Sequence, residues 1–224
     1  MRKVFEIGGL VAGLILIVFG VVAIVMGVNG QSTVSNSLKD QKIVGTADMT
    51  PAGISAAVKE AHLTNVKIPS CSVANLPINS GSRARCFAEY MQVHALEATG
   101  GYLYSQMGIW VAKPGTPKAQ LMPGGGTDVP TAAQVDPTTK QPVSNGARNV
   151  WVTETALTTA LNSSYMASQL ALFGIVVGVA LLLSGFGFSI LAIGGALRNP
   201  ENVLNAVFGK RSPKVSGTTP VAAS

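Results

Sequence analysis

The stretch LALFGIVVGVALLLSGFGFSILAIGGAL, residues 170–197, decides the fold of this chain. It lies in a run without charged side chains between Glu154 and Arg198. A helix needs about 20 apolar residues to cross a hydrocarbon core about 30 Å thick, so this stretch is long enough to span a membrane. A second apolar stretch, residues 7–28, lies near the other end of the chain. The sequence therefore predicts two transmembrane helices on either side of a central segment.

The basic residues beside the two apolar stretches predict their orientation. Arg2 and Lys3 precede the first stretch. The second is followed by four basic residues, Arg198, Lys210, Arg211 and Lys214. Because Lys and Arg accumulate on the cytoplasmic side, both termini are expected in the cytoplasm and the central segment outside. The first stretch exceeds the roughly 7–15 apolar residues of a signal peptide and lacks its cleavage pattern, which favours a retained anchor over a cleaved signal.

These features predict a mainly α protein of the plasma membrane. We expect a two-span transmembrane helical hairpin with a small helical, disulfide-linked extracytoplasmic domain and a long Pro/Gly-rich loop. The expected segments are a cytoplasmic N-terminus (1–6), transmembrane helix 1 (7–28), the extracytoplasmic domain (29–168), transmembrane helix 2 (169–197) and a cytoplasmic tail (198–224). Within the domain, residues 113–149 are rich in Pro, Gly and small polar residues, which predicts a flexible loop.

Composition limits the classes of partner. The formal net charge is +6, of which the terminal segments carry +4 and the central segment +2. The positive charge thus lies mainly beside the apolar stretches, and no basic stripe with interleaved aromatic residues is present, so nucleic acid is not an expected partner. The lipid bilayer is the expected partner of the apolar stretches. Neither stretch carries an ionisable residue that would indicate an ion or proton path.

Small residues recur in both apolar stretches. Gly9 and Gly13 form a GxxxG pair in the first, and Gly174 and Gly178 form another in the second. Because small residues let helix backbones approach closely where lipid supplies no hydrophobic drive, these four glycines are predicted to pack helices together. The facing helix is either the other span of this chain or a helix of a partner or second copy.

Two cysteines, Cys71 and Cys86, both lie in the central segment. In an oxidising compartment a disulfide is expected between them. Closing a loop of this length predicts about 3 kcal/mol of stabilisation. A redox-active pair is the alternative, but the C-x-x-C spacing of such pairs is missing.

Three helices are predicted in the central segment. The first covers residues 51–63, because Thr50 can cap it and Pro51 suits its first position. The second covers residues 83–99, with Ser82 as its cap. The third begins after a Thr153 cap and continues without a break into the second apolar stretch, as one helix about 65 Å long.

The aromatic and β-branched residues 102–112 fit either a strand or a buried helical turn. Tyr102, Tyr104 and Trp110 in this segment are candidate ligand contacts. The tail holds one further helical candidate at 201–210.

The titratable residues give few candidates for chemistry. His94 lies three residues before Glu97, so the pair could bind a metal or act as a base, or His94 could be a structural histidine within the helices. His62 near a helix end could interact with free carbonyl groups. Neither the G-x-S-x-G pattern nor a phosphate-binding glycine loop occurs. We therefore expect no catalytic residues, no metal, no cofactor and no enzymatic activity.

The stretches TADMTP (46–51), RARCFAEYMQVHALEATGG (83–101) and TALNSSYMASQLALFGIVVG (159–178) resemble a group of small two-span actinobacterial membrane proteins of unknown function. The likeness covers most of the chain outside the Pro/Gly-rich loop, and it implies the topology and localisation given above. Members sometimes carry the name of a ring-opening dioxygenase small subunit. Such chemistry needs iron held by two histidines and a carboxylate, whereas His62 and His94 lie on separate predicted helices. The resemblance therefore implies no active site.

These observations predict a structural or interaction protein of the cell envelope, such as an accessory subunit of a membrane complex. The expected partner is then another membrane protein or a second copy of the chain. The alternative is an extracytoplasmic binding or sensing module for a lipid or cell-wall component. In that case the aromatic segment and the long loop would form the ligand site.

Overall fold

A computed structural model describes residues 2–194 of the chain. The predictions for residues 195–224, including the end of the second apolar stretch, the cytoplasmic tail and the helical candidate at 201–210, lie outside these residues. The described residues are mainly helical, as predicted. Their helices are α1 (Arg2–Asp40), α2 (Pro51–Glu60), α3 (Gly81–Ala98) and α4 (Gly146–Ile193), and their sheet has two short strands, β1 (Trp110–Val111) and β2 (Gly126–Thr127).

By length and composition, α1 and α4 are both able to cross a membrane. The prediction that α4 runs without a break into the second apolar stretch is confirmed. Its predicted start was wrong, because the helix begins at Gly146 and Thr153 lies within it. The buried Asn145 takes the capping role instead, since its side-chain oxygen accepts a hydrogen bond from the Ala147 N–H at 3.1 Å. Asn and Thr are both good caps, so sequence alone did not separate them.

The chain divides into two structural units. Of the described residues, 2–25 and 174–194 form the helix-pair unit, and Met26–Phe173 form the central unit. In the helix-pair unit the described parts of α1 and α4 run antiparallel, because Gly13 lies against Gly185 whereas Gly20 lies against Gly178.

The core of the central unit is built mainly around α3. Its buried side chains Phe87, Tyr90 and Val93 belong to one apolar cluster. The same cluster receives Leu38 from α1, Ile54 from α2 and Leu161 from α4. Removing such side chains from water stabilises the unit by about 1.5–3 kcal/mol each. All four helices are therefore anchored in the core of the central unit.

The first residues of α2 and α3 show which caps the structure uses. Thr50 caps α2 as predicted, since its hydroxyl oxygen accepts from the Gly53 N–H at 2.9 Å. The Ser82 prediction for α3 was wrong, because the Ser80 hydroxyl accepts from the Arg83 N–H and the helix begins at Gly81. Packing explains the choice: a Cβ at Gly81 would lie 2.7 Å from the Ser168 side chain, so the chain turns into α3 where only glycine fits.

Residues 102–145 connect α3 to α4 through short turns and the small sheet. The segment that fitted either a strand or a buried helical turn contains the short strand β1, preceded by a 3-10 turn at Tyr104–Gln106 that is exposed. β1 pairs antiparallel with β2, and Thr127 on β2 is fully buried. Three further 3-10 turns cover Lys118–Gln120, Pro123–Gly125 and Pro130–Ala132. The predicted loop is thus irregular but internally hydrogen-bonded, and its flexibility stays a prediction.

Candidate functional site

The predicted disulfide between Cys71 and Cys86 is present, with 6.1 Å between the two Cα atoms. It joins the irregular segment before α3 to the first turns of that helix. A hydrogen bond from the Tyr90 hydroxyl to the Cys71 carbonyl oxygen, at 2.6 Å, lies beside it. Burial, together with the nearby Glu89 and Asp48, raises the pKa of Tyr90, so its hydroxyl stays protonated and able to donate. The disulfide therefore belongs to a structural cluster.

The helix-pair unit contains a glycine interface formed by Gly13, Gly20, Gly178 and Gly185, all of them buried. A Cβ at Gly20 would lie 2.8 Å from the Gly178 carbonyl oxygen, and one at Gly178 would lie 2.7 Å from the Gly20 carbonyl oxygen. Gly13 and Gly185 make the same reciprocal approach. These glycines are seven residues apart on each helix, so each faces the other helix after two turns. The two backbones consequently touch where any side chain would separate them.

The four predicted packing glycines have different surroundings. Gly13 and Gly178 belong to the glycine interface. A Cβ at Gly174 would lie an ordinary 3.7 Å from the Ala23 carbonyl oxygen, and Gly9 is half-buried. The seven-residue repeat of small residues, rather than the GxxxG spacing, is therefore the signal that marks this interface.

His94 on α3 lies between two carboxylates. Its Nδ1 is 2.8 Å from a Glu97 carboxylate oxygen, and its Nε2 is 3.3 Å from a carboxylate oxygen of Asp48. A protonated imidazole can donate to both, which ties α3 to the segment before α2. Among the described residues no His, Cys, Asp and Glu side chains are grouped as a metal site would require. His62 is exposed just beyond α2, in a left-handed backbone conformation at φ 52°.

An open groove of about 510 Å³ lies between α3 and the first part of α4, and we call it the α3–α4 groove. Its lining is mostly apolar. The apolar side chains include Met91, Ala95 and Ala98 from α3 and Val150 and Leu157 from α4, and the polar ones are His94, Asn149, Thr153 and Glu154. A groove of this size and lining is able to hold a small ligand.

Glu154 is the unusual residue of the α3–α4 groove, because its carboxyl side chain is buried with only 7% exposure. Burial raises the pKa of Glu154, and hydrogen bonds from the Thr158 and Thr155 hydroxyls oppose that rise. The Thr155 hydroxyl is 3.4 Å from a carboxylate oxygen. No ion pair to Glu154 exists within residues 2–194.

Glu154 was not among the site residues predicted from the sequence. A signal was present, since Glu154 follows Val150 by four residues and precedes Leu157 by three, which places it on the apolar face of α4. An acidic residue on such a face is buried with the apolar ones.

The three predicted ligand-contacting aromatics differ in their exposure and in their surroundings. Tyr102 and Tyr104 are 42% and 45% exposed, and Trp110 on β1 is half-buried. Tyr104 alone of the three lines a second open groove of about 520 Å³, together with Trp151. The Arg148 guanidinium lies 4.0 Å from the Tyr104 ring centre, and the Tyr102 carbonyl oxygen accepts a 2.8 Å hydrogen bond from the Trp151 indole N–H.

Comparison with known proteins adds no family and no fold to this picture. No protein-family model matches the chain, and no match was found among curated proteins or solved structures. Functional inference therefore depends on the chain's own residues and their geometry.

Proposed function

We propose that this chain is a two-pass plasma-membrane protein with a non-enzymatic structural or interaction role in the cell envelope. The observation that supports the proposal is that α1 and α4 each combine a membrane-length apolar stretch with side chains in the core of the central unit. Leu38 of α1 and Leu161 of α4 are buried in that core. Such helices attach a folded domain firmly to a bilayer, as an accessory subunit requires.

In this proposal both termini are cytoplasmic and the central unit lies outside the membrane. Basic residues beyond both apolar stretches favour that orientation. The Cys71–Cys86 disulfide is a second argument, since disulfides persist in oxidising compartments. Reporter fusions test the topology: a fusion after residue 100 should be active only if the reporter works outside the cytoplasm. Activity of a cytoplasm-specific reporter at that position would contradict the proposal.

A membrane partner or second copy would contact faces of the helix pair that α1 and α4 leave open. The glycine interface is filled within the chain, so its residues are not free for another helix. Phe19 on α1 and Phe186 on α4 are large and exposed in the helix-pair unit, which makes them the candidate contacts. Because lipid supplies no hydrophobic drive, van der Waals contacts of such large side chains would hold a partner helix there.

Affinity purification from native membranes in mild detergent tests the interaction role. We expect a stable partner or a second copy to co-purify, and we expect Phe19→Ala or Phe186→Ala to reduce its recovery while the disulfide remains intact. Gly8→Ala is the matched control, because a Cβ there meets nothing within 4 Å. Recovery of the chain as a monomer without any partner would contradict the interaction role.

A second candidate function is ligand binding by the central unit. The observation that favours it is the α3–α4 groove with its buried carboxyl group, in place of the aromatic segment suggested by the sequence. This candidate does not require a protein partner. Crosslinking with small amphiphilic probes that reach the groove tests it directly.

A further inference from the structure

The buried carboxyl group of Glu154 has no compensating ion pair among residues 2–194. A carboxylate removed from water costs several kcal/mol unless a charge or good hydrogen bonds compensate it. Among residues 2–194, the Thr155 hydroxyl donates to the Glu154 carboxylate at a long 3.4 Å, and the Thr158 hydroxyl close to it also lies 3.4 Å from the Thr155 carbonyl oxygen. Glu154 is therefore a buried acid whose capacity for hydrogen bonds is only partly used.

The charges around the α3–α4 groove favour a cation. Among the described residues that line it, none is Lys or Arg. His94 at the α3 side is already held between Asp48 and Glu97, so it brings two further carboxylates close to the groove. The nearest basic residue of α4 in sequence, Arg148, stacks on the Tyr104 ring, which lines the other groove.

We propose that the α3–α4 groove binds a small cationic amphiphile, whose ammonium group is bound by the Glu154 carboxylate and whose apolar part packs on Met91, Ala95 and Leu157. The volume of about 510 Å³ falls within the range of about 300–1,000 Å³ that ligand pockets occupy. The inference rests on the second candidate function, ligand binding, and is independent of the interaction role.

The chemistry of the head group sets the specificity. An ammonium N–H donates to the carboxylate in a charge-assisted hydrogen bond, which is about twice as strong as a neutral one. An alcohol of the same chain length donates one neutral hydrogen bond to the same oxygen. A carboxylic acid ligand brings a second negative charge next to Glu154. The groove should therefore prefer amine over alcohol and alcohol over acid.

Photo-crosslinking on the full chain in phosphatidylcholine nanodiscs tests this preference. The probes are octylamine, octanol and octanoic acid, each with a diazirine in its alkyl chain, and mass spectrometry locates the labelled peptides. We expect the amine to label residues 91–98 and 146–157 about tenfold more than the acid does, the ratio that a charged hydrogen bond gives. Unlabelled octylamine should compete. Labelling of the apolar parts of α1 and α4 serves as an internal measure of probe in the bilayer.

Two variants test whether Glu154 causes the preference for the amine probe. Glu154→Gln should reduce amine labelling of the groove about tenfold without changing labelling of the apolar helices. Glu89→Gln is the matched control, because Glu89 lies on α3 outside the groove lining and pairs with Arg85. Should Glu154→Gln fail to fold, Leu157→Trp fills the groove while keeping the carboxyl group, and it should block labelling by the amine.

The labelling results distinguish a groove that prefers cations from a groove that binds small ligands without such a preference. Equal groove labelling by amine, alcohol and acid would leave a ligand-binding groove but overturn its preference for a cation. Labelling confined to the apolar helices would overturn both. Amine labelling that survives in Glu154→Gln at the wild-type level would show that Glu154 does not bind the head group.

Discussion

The helix-pair unit and the central unit are each stabilised internally, but by different kinds of contact. In the helix-pair unit α1 and α4 touch through glycines, at positions where a side chain would push the helices apart. In the central unit the helices are joined by large side chains such as Phe87 and Tyr90 and by a disulfide. In lipid there is no hydrophobic driving force between apolar side chains, so close packing of the helix backbones stabilises their association. In water, apolar burial is the main stabilising term.

The largest expected effect of a substitution falls on the central unit. Replacing Cys71 and Cys86 together by serine should reduce its free energy of unfolding by about 3 kcal/mol, because the unfolded chain regains the freedom of the closed loop. Both tryptophans of the chain, Trp110 and Trp151, lie in this unit, so tryptophan fluorescence during denaturation measures it alone. A loss below about 1 kcal/mol would show that the loop is held by other contacts.

The second effect concerns the glycine interface. Gly185→Ala should destabilise the helix pair by about 1–3 kcal/mol, because its Cβ would lie 2.7 Å from the Gly13 carbonyl oxygen. Gly187→Ala on the same helix is the matched control, since its Cβ meets nothing within 4 Å. Helical circular dichroism during SDS-induced unfolding measures the difference. Equal stability of the two variants would contradict the close contact.

The GxxxG pair on α4 offers a sharper form of the same test. Gly178→Ala places a Cβ 2.7 Å from the Gly20 carbonyl oxygen, whereas at Gly174 the nearest contact is 3.7 Å. Gly178→Ala should therefore destabilise the helix pair and Gly174→Ala should not. If both substitutions reduce the stability of the helix pair equally, the helices pack through the four-residue spacing instead.

A smaller effect is expected at Tyr90. Tyr90→Phe removes the hydroxyl that donates to the Cys71 carbonyl oxygen and leaves that oxygen without the bond, at a cost of about 1–1.5 kcal/mol. Tyr165→Phe is the control, because its ring contact with Arg85 survives the change. Denaturation followed by tryptophan fluorescence compares the two. A larger loss in Tyr165→Phe would contradict the assignment of the hydrogen bond.

The smallest effect is a pH dependence from Glu154. Burial raises the pKa of Glu154 above its ordinary value of 4.5, so the folded central unit holds a proton there more tightly than the unfolded chain. The resulting stabilisation is fully present below the unfolded pKa and is lost as the pH rises through the raised folded pKa. Glu154→Gln stays neutral, so its stability should not fall over this interval as that of the wild type does.

Denaturation midpoints of the central unit measured from below pH 4.5 to neutral pH test this prediction. Glu89→Gln serves as the control for the general effect of removing a carboxylate, because Glu89 lies outside the lining of the α3–α4 groove. A wild-type profile that coincides with that of Glu154→Gln would mean that the carboxyl group is not held protonated by burial.

Most of the helical framework could be predicted from sequence because local signals specify it. Apolar length gave the two long helices, and the Thr50–Pro51 pair gave the start of α2. The predicted starts of α3 and α4 were wrong because each has two possible capping residues nearby. The structure uses Ser80 instead of Ser82 and Asn145 instead of Thr153. Local propensity is nearly equal for such residues, so the packing around each helix end makes the choice.

By itself the sequence determined the apolar spans, the mainly helical class and the pairing of two cysteines that have no other partner in the chain. The tertiary structure decided which glycines meet, because the antiparallel pairing of α1 and α4 sets Gly13 against Gly185 and Gly20 against Gly178. It also decided that Glu154 lines the α3–α4 groove and that Tyr104 lines the second groove beside Trp151. Contacts between residues far apart in sequence depend on how helices pack, and that packing is absent from any local pattern.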